Sequence, residues 1–181
     1  MKPLRLFVLL VFITGLFACG SASKDMEKIK AIEKTVFVDA SGMNKDQAAE
    51  LVVLYDKYAT KYPDDSMAST CLYKAAEMSI NLNKGNEAIA FFDRVIADYP
   101  NDPRVPEAYF LKAFVYEISL MNLNKARESY TAFIQKYPNH ELTDDAQISL
   151  NNLGKTPEQV LLEAMKKQEQ TKADSLAALK E

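Results

Sequence analysis

Three Tyr-Pro pairs punctuate the chain: Tyr62-Pro63, Tyr99-Pro100 and Tyr137-Pro138, spaced 37 and 38 residues apart and each followed by Asp or Asn. A fixed period in this range is the mark of stacked two-helix units. The apolar positions upstream of each Tyr agree as well. Eleven residues before it stand Leu51, Ala88 and Ala126, and seven before it Tyr55, Phe92 and Tyr130. Four before it are Tyr58, Val95 and Phe133, and three before it Ala59, Ile96 and Ile134. Those offsets fall on one stripe of an α-helix. Proline then stops the helix, because its ring clashes with the preceding turn and its nitrogen carries no proton. The Asp or Asn that follows suits a turn and can cap the next helix.

Each Pro is followed by a second helical stretch. Ser69–Leu82 carries Leu72, Ala75, Ala76 and Met78, and Pro106–Met121 carries Phe110, Ala113, Phe114 and Glu117. The turns Asn83-Lys84-Gly85-Asn86 and Asn122-Leu123-Asn124-Lys125 lead back into the next helix. On either side the units are degenerate, as the ends of an array must be. Asn44–Lys61 reads as a second helix, whose partner, Lys24 to Val38, is short and interrupted by Asp39-Ala40-Ser41-Gly42. Beyond Glu141–Leu153, Thr156-Pro157-Glu158-Gln159 forms a capping-box start, with Thr at N-cap, Pro at N1 and Gln at N3. Val160, Leu161, Ala164 and Met165 follow as a stripe, and the chain turns polar and frays from about Lys166.

This pattern resembles the tetratricopeptide repeat, a 34-residue antiparallel helix pair. The clear repeats are 69–102 and 107–140; they lack Trp at the fourth motif position, and Phe114 stands where a small residue is usual. The resemblance implies an all-α fold, a short right-handed superhelix of antiparallel helix pairs over 25–170 with a polar tail at 171–181. It also implies a concave face lined by the first helix of each repeat, at Thr70, Tyr73, Glu77 and Ile80, then Ala108, Leu111, Val115 and Ile118. Glu77 and Lys112 could read charge there, while Tyr73, Leu111, Val115 and Ile118 offer an apolar strip, unless terminal helices fold over it and make it core. An exposed strip of that kind marks an interface.

The N-terminus says where such an array would work. Lys2 and Arg5 precede a 13-residue apolar run, Leu6 to Ala18, too short for a permanent bilayer span and right for a secretory leader. It ends in Leu16-Phe17-Ala18-Cys19, which resembles the lipobox of bacterial lipoproteins. The resemblance implies cleavage after residue 18, acyl chains on Cys19 (palmitate among them) and a lipidated linker at 19–24. The alternative is an ordinary secretory leader with a Cys near its cleavage site. Gly20 rather than Asp after the Cys implies sorting to the outer membrane, facing the periplasm. Net charge of −3 becomes −5 once Lys2 and Arg5 are removed, which argues against a nucleic-acid partner.

Composition excludes much chemistry. Two Cys and one His cannot build a Cys/His zinc cage, and five scattered Gly form no phosphate-cradling loop. Cys71 lies in a helical context as a small buried hydrophobe rather than a reactive thiol. His140 follows Pro138-Asn139 in a loop and reads as solvated. Asp64-Asp65, Asp102 and Asp144-Asp145 sit at helix starts, where they offset the dipole. Asp39-Ala-Ser-Gly-Met-Asn fails calcium-loop spacing because Met43 occupies a ligand position. Asp65-Ser66-Met67 and Asp174-Ser175-Leu176 resemble a loose O-glycosylation acceptor. The chain therefore reads as a non-enzymatic adaptor without cofactor, which binds an envelope protein or peptide and touches the membrane through Cys19. It is similar to the outer-membrane assembly lipoproteins of the BamD type and to the Tol-Pal coordinator repeats. The alternative is a small-ligand or glycan-binding lipoprotein accessory to a transporter.

Overall fold

The computed structural model describes residues 20–38 and 42–178. The leader, Cys19 and Asp39 to Ser41 lie outside the described residues. The architecture is all-α, a stack of antiparallel helix pairs. Residues 20–33 are helical (α1), followed by α2 Lys45–Lys61, α3 Ala68–Asn81, α4 Gly85–Asp98 and α5 Val105–Phe114. A π-helical turn, Val115–Ser119, continues α5 before α6 Leu123–Lys136, α7 Thr143–Asn152 and α8 Pro157–Ala178. Between α1 and α2 two short strands, β1 Phe37–Val38 and β2 Gly42–Met43, pair antiparallel.

The three Tyr-Pro loops fold alike, bond for bond. In each, the Tyr N–H closes the helix on the carbonyl four residues back: Tyr58 (2.9 Å), Val95 (3.1 Å) and Phe133 (2.8 Å). The residue two after Pro then donates to the Tyr carbonyl, at 3.1, 2.9 and 3.1 Å for Asp65, Asp102 and His140. Its own side chain accepts from the backbone two residues on: Asp65 Oδ1 from Met67 N (2.8 Å), Asp102 Oδ1 from Arg104 N (2.9 Å) and His140 Nδ1 from Leu142 N (3.2 Å). His140 is therefore the third copy's turn acceptor, half-buried against Phe133 (centroids 5.8 Å), and not the solvated loop residue expected. The capping acceptors lie one position later than the residue next to Pro. Other starts follow the sequence: Asn44 accepts from Asp46 and Gln47, Asn122 accepts from Lys125, and Thr156 and Gln159 form the reciprocal capping box.

The expected stripe is the core. Leu51, Ala88, Ala126, Tyr55, Phe92, Tyr130, Tyr58, Val95 and Phe133 are all buried. One hydrophobic cluster runs from Ala22 to Val115; a second holds Ala113, Ala126, Tyr130, Phe133, Ala146 and Leu153. The repeat-ending tyrosines link neighbouring units. The Tyr62 hydroxyl donates to Asp25 on α1 (2.8 Å), and the Tyr99 hydroxyl donates to the Pro63 carbonyl of the preceding loop (2.9 Å).

Three expectations are corrected. Residues 20–24, expected as a linker, are helical, and Ala22 is buried while Ser21 Oγ lies 2.6 Å from the Tyr62 hydroxyl. At the other end α8 continues to Ala178 instead of fraying near Lys166, and its stripe stays at the surface, with Leu161, Leu162 and Met165 all more than half exposed. The helix expected to run unbroken to Met121 leaves α geometry after Phe114, where Leu120 N bonds the Val115 carbonyl five residues back (3.0 Å). Just before this turn, still in α geometry, bulky Phe114 faces outward and Val115 is completely buried.

Candidate functional site: the face of the first helices

Of the six residues expected on the concave strip, the structure leaves two exposed. Tyr73 and Glu77 are one turn apart on α3, but only Glu77 reaches solvent. Tyr73 is 5% exposed, its ring edge-on to Phe92 (5.8 Å, 70°) and under the Arg104 guanidinium (5.5 Å). Leu111 is half-buried against the first cluster, and Val115 is fully buried in it. Lys112 forms an ion pair with Asp93 on α4, so it is not a free reader of charge. Ile118 stays 56% exposed. The strip is therefore interrupted: α3 and α5 pack against the second helices with the same residues that were expected to face a partner.

A cavity of about 360 Å³ opens one step along, where α1, β1, α2 and α3 meet. Val36, Phe37, Leu51 and Met78 form apolar walls, with Glu33, Glu77 and the cation Lys74 among them. Phe37 is 61% exposed, an aromatic wall with one face in water. Glu33 Oε1 accepts from the Tyr55 hydroxyl and from Lys74 Nζ, both at 2.6 Å. Those partners outweigh the desolvation that opposes ionisation, so the Glu33 carboxyl is held below the usual range. Glu77 behaves oppositely. Partial burial, with the Glu107 carboxylate of α5 facing it, pushes its pKa up despite Lys74 and Arg104 nearby. The sequence pointed to Glu77 but not to Val36, Phe37, Leu51 or Glu107. Val36 lies in the bend before β1, Phe37 on β1 and Leu51 on α2, and only the fold brings them to one cavity, with Glu107 outside its lining on α5.

A second concavity lies among the loops, lined by Asp64, Asp65, Asp98, Asp102 and Ser69. Its acids are engaged locally. The Arg104 guanidinium bonds both oxygens of Asp102 (2.9 and 2.7 Å) and holds that carboxyl well below the usual range. Asp65 serves its turn, and Ser66 of the loose glycosylation pattern is exposed beside it. Cys71 is 1% exposed, and burial pushes its thiol up to about 12. Among the described residues no group of three His, Cys, Asp or Glu side chains is placed to share a metal ion. No described helix is long and apolar enough to cross a membrane.

Residues 70–102 and 107–140 match the tetratricopeptide repeat family. Those two stretches, 67 of the 181 residues, have the form of tetratricopeptide repeats. The match begins and ends within a residue or two of the helix pairs α3–α4 and α5–α6 with their closing loops. The chain is also similar to the outer membrane protein assembly factor BamD of Caulobacter vibrioides, 34% identical over 76 residues. That stretch is 38% of this chain and 25% of the relative, so the chain spans about a quarter of the length of the protein it matches. Together with the repeat geometry, the similarity supports a helical protein-interaction scaffold.

Proposed function

We propose that the chain is a lipid-anchored adaptor of the bacterial outer membrane, facing the periplasm, which holds an envelope protein or peptide along the first helices of its repeats. The observation that carries this proposal is the coincidence of two tetratricopeptide repeats with similarity to an outer membrane protein assembly factor. The lipobox-like Leu16-Phe17-Ala18-Cys19 supports the anchor. Two or three acyl chains on Cys19 hold a protein stably on a leaflet, where one chain gives marginal binding. Because helix α1 already includes residue 20 and Ser21 meets Tyr62, such an anchor seats the stack at the leaflet rather than on a flexible tether. The repeats support binding rather than catalysis, and the lone histidine is engaged in a turn.

Crosslinking and affinity capture of the acylated chain from native membranes tests the adaptor. One stoichiometric envelope partner is expected, reduced roughly tenfold or more by Phe37→Asp with Ile118→Asp, two exposed positions whose substitution leaves the core intact. Capture of no protein, together with a thermal shift from a soluble ligand, overturns the adaptor in favour of a small-ligand or glycan binder. Cys19→Ser is expected to abolish acyl labelling and release the protein to the soluble fraction; persistent labelling overturns the anchor.

A further inference from the structure

The cavity between α1, β1, α2 and α3 has apolar walls and two acids in different states. Glu33 is compensated by Lys74 and Tyr55. Glu77 is not: among the described residues neither it nor the facing Glu107 takes part in an ion pair. The cations nearest to hand are occupied, Lys74 by Glu33 and Arg104 by Asp102. The Tyr73 hydroxyl, outside the cavity lining, is sealed from water and has Glu107 as its acidic neighbour. An unpaired carboxylate against an apolar wall and a like charge near it each lower stability. Folded proteins retain such costs where a ligand removes them.

One ligand chemistry answers both the apolar walls and the unpaired Glu77: a cation on a long apolar stem. The methylenes lie against Val36, Leu51 and Met78, the exposed ring of Phe37 offers a face to the charge, and Glu77 supplies the counter-ion. We propose that this cavity receives a lysine or arginine side chain from an extended segment of the partner, with Glu77 as its counter-ion and Glu107 adding to the field. The proposal rests on the groove function above and names the residue class that the groove selects. A volume of about 360 Å³ lies at the small end of ligand sites and suits one side chain rather than a whole ligand.

The test uses the full mature chain and four pools of fluorescein-labelled, N-acetylated, C-amidated random nonapeptides, fixed at the centre as Arg, Lys, Gln or Glu. Anisotropy is expected to show the Arg and Lys pools binding about tenfold tighter than the Gln pool, with Glu weakest. The preference is expected to shrink as salt rises. Glu77→Gln is expected to abolish the preference and at the same time raise the melting temperature of the free protein, since it removes the repulsion by Glu107. A purely structural Glu77 predicts the reverse, a lower melting temperature. Equal binding of all pools, or a preference that survives Glu77→Gln, overturns the basic-residue pocket while leaving the groove function standing. Binding of no pool likewise overturns the pocket, while the adaptor is judged by capture of the envelope partner.

Discussion

Phe133→Ala tests how the stack divides its stability. Phe133 is fully buried at the heart of the second cluster, with ring contacts to Phe110 (5.8 Å), Tyr137 (5.7 Å) and His140 (5.8 Å). Truncating such a ring costs about 3–5 kcal/mol, the transfer loss plus the cavity left behind. The second cluster has little to absorb that loss. Its buried members are three alanines with Tyr130, Phe133 and Leu153, against the long cluster running from Ala22 to Val115. Repeat stability is a sum of local and nearest-neighbour terms, so the damage is expected to stay local. Hydrogen exchange read by mass spectrometry should show amides of α6 and α7 exchanging about two to three orders of magnitude faster, with α2–α4 little changed. Phe92→Ala, equally buried but in the long cluster against Tyr73, should instead loosen α2–α5 together. Uniform loss of protection along the chain in Phe133→Ala, or a cost under about 1 kcal/mol, would refute the division into two cores.

Three further outcomes are expected. Asp102→Asn keeps the turn acceptor but loses the Arg104 fork, at a cost of roughly 1–3 kcal/mol at neutral pH. Because the Asp102 pKa is depressed in the folded state, its contribution is present above the unfolded value near pH 4 and is lost as pH falls toward the folded one. The variant's acid-unfolding curve should therefore be flatter below about pH 4. Gly85→Ala places a Cβ 2.9 Å from Leu120 Cδ2 and 3.1 Å from Ser119 Cβ, and is expected to destabilise by about 1 kcal/mol in urea unfolding despite alanine's better helix propensity. The Cys71 thiol, buried and held up to about 12, should resist a thiol reagent in the native protein and react fully once unfolded.

The repeat was legible because it is local. A Pro stops a helix wherever it falls, and a stripe at offsets of three and four shows which side is buried, so Leu51, Phe92, Tyr130 and their counterparts were placed without knowing their neighbours. The caps at Asn44 and Thr156 were equally local. Less visible was anything set by a partner in space. Strands of two residues carry no period, so the β1–β2 pair left no signal. Val115 keeps α geometry and is buried because the neighbouring helices cover the face it shares with Ala108, while the π turn that follows it displaces the positions after it. Positions counted on an ideal α-helix therefore err after residue 115. The cavity, drawn from residues 33–37, 51–55 and 74–81, had no sequence signature beyond Glu77 itself.

The places where local rules fail are not scattered. The π turn, the left-handed backbone of Met121 (φ 50°) and exposed Ile118 cluster at one end of α5. Glu77, Glu107 and the orphaned Tyr73 hydroxyl cluster along the first-helix face. The second helices are more regular, with buried stripes and closed C-termini in three copies, although Gln47 Oε1 on α2 has no partner and α4 has no side-chain cap. A scaffold under selection for stability alone gains nothing from facing two carboxylates across a groove, since replacing one with a neutral amide removes a repulsion without opening a void. Under the proposed function, the irregular side of each repeat is the side that meets a partner, and the regular side is what holds that face in place.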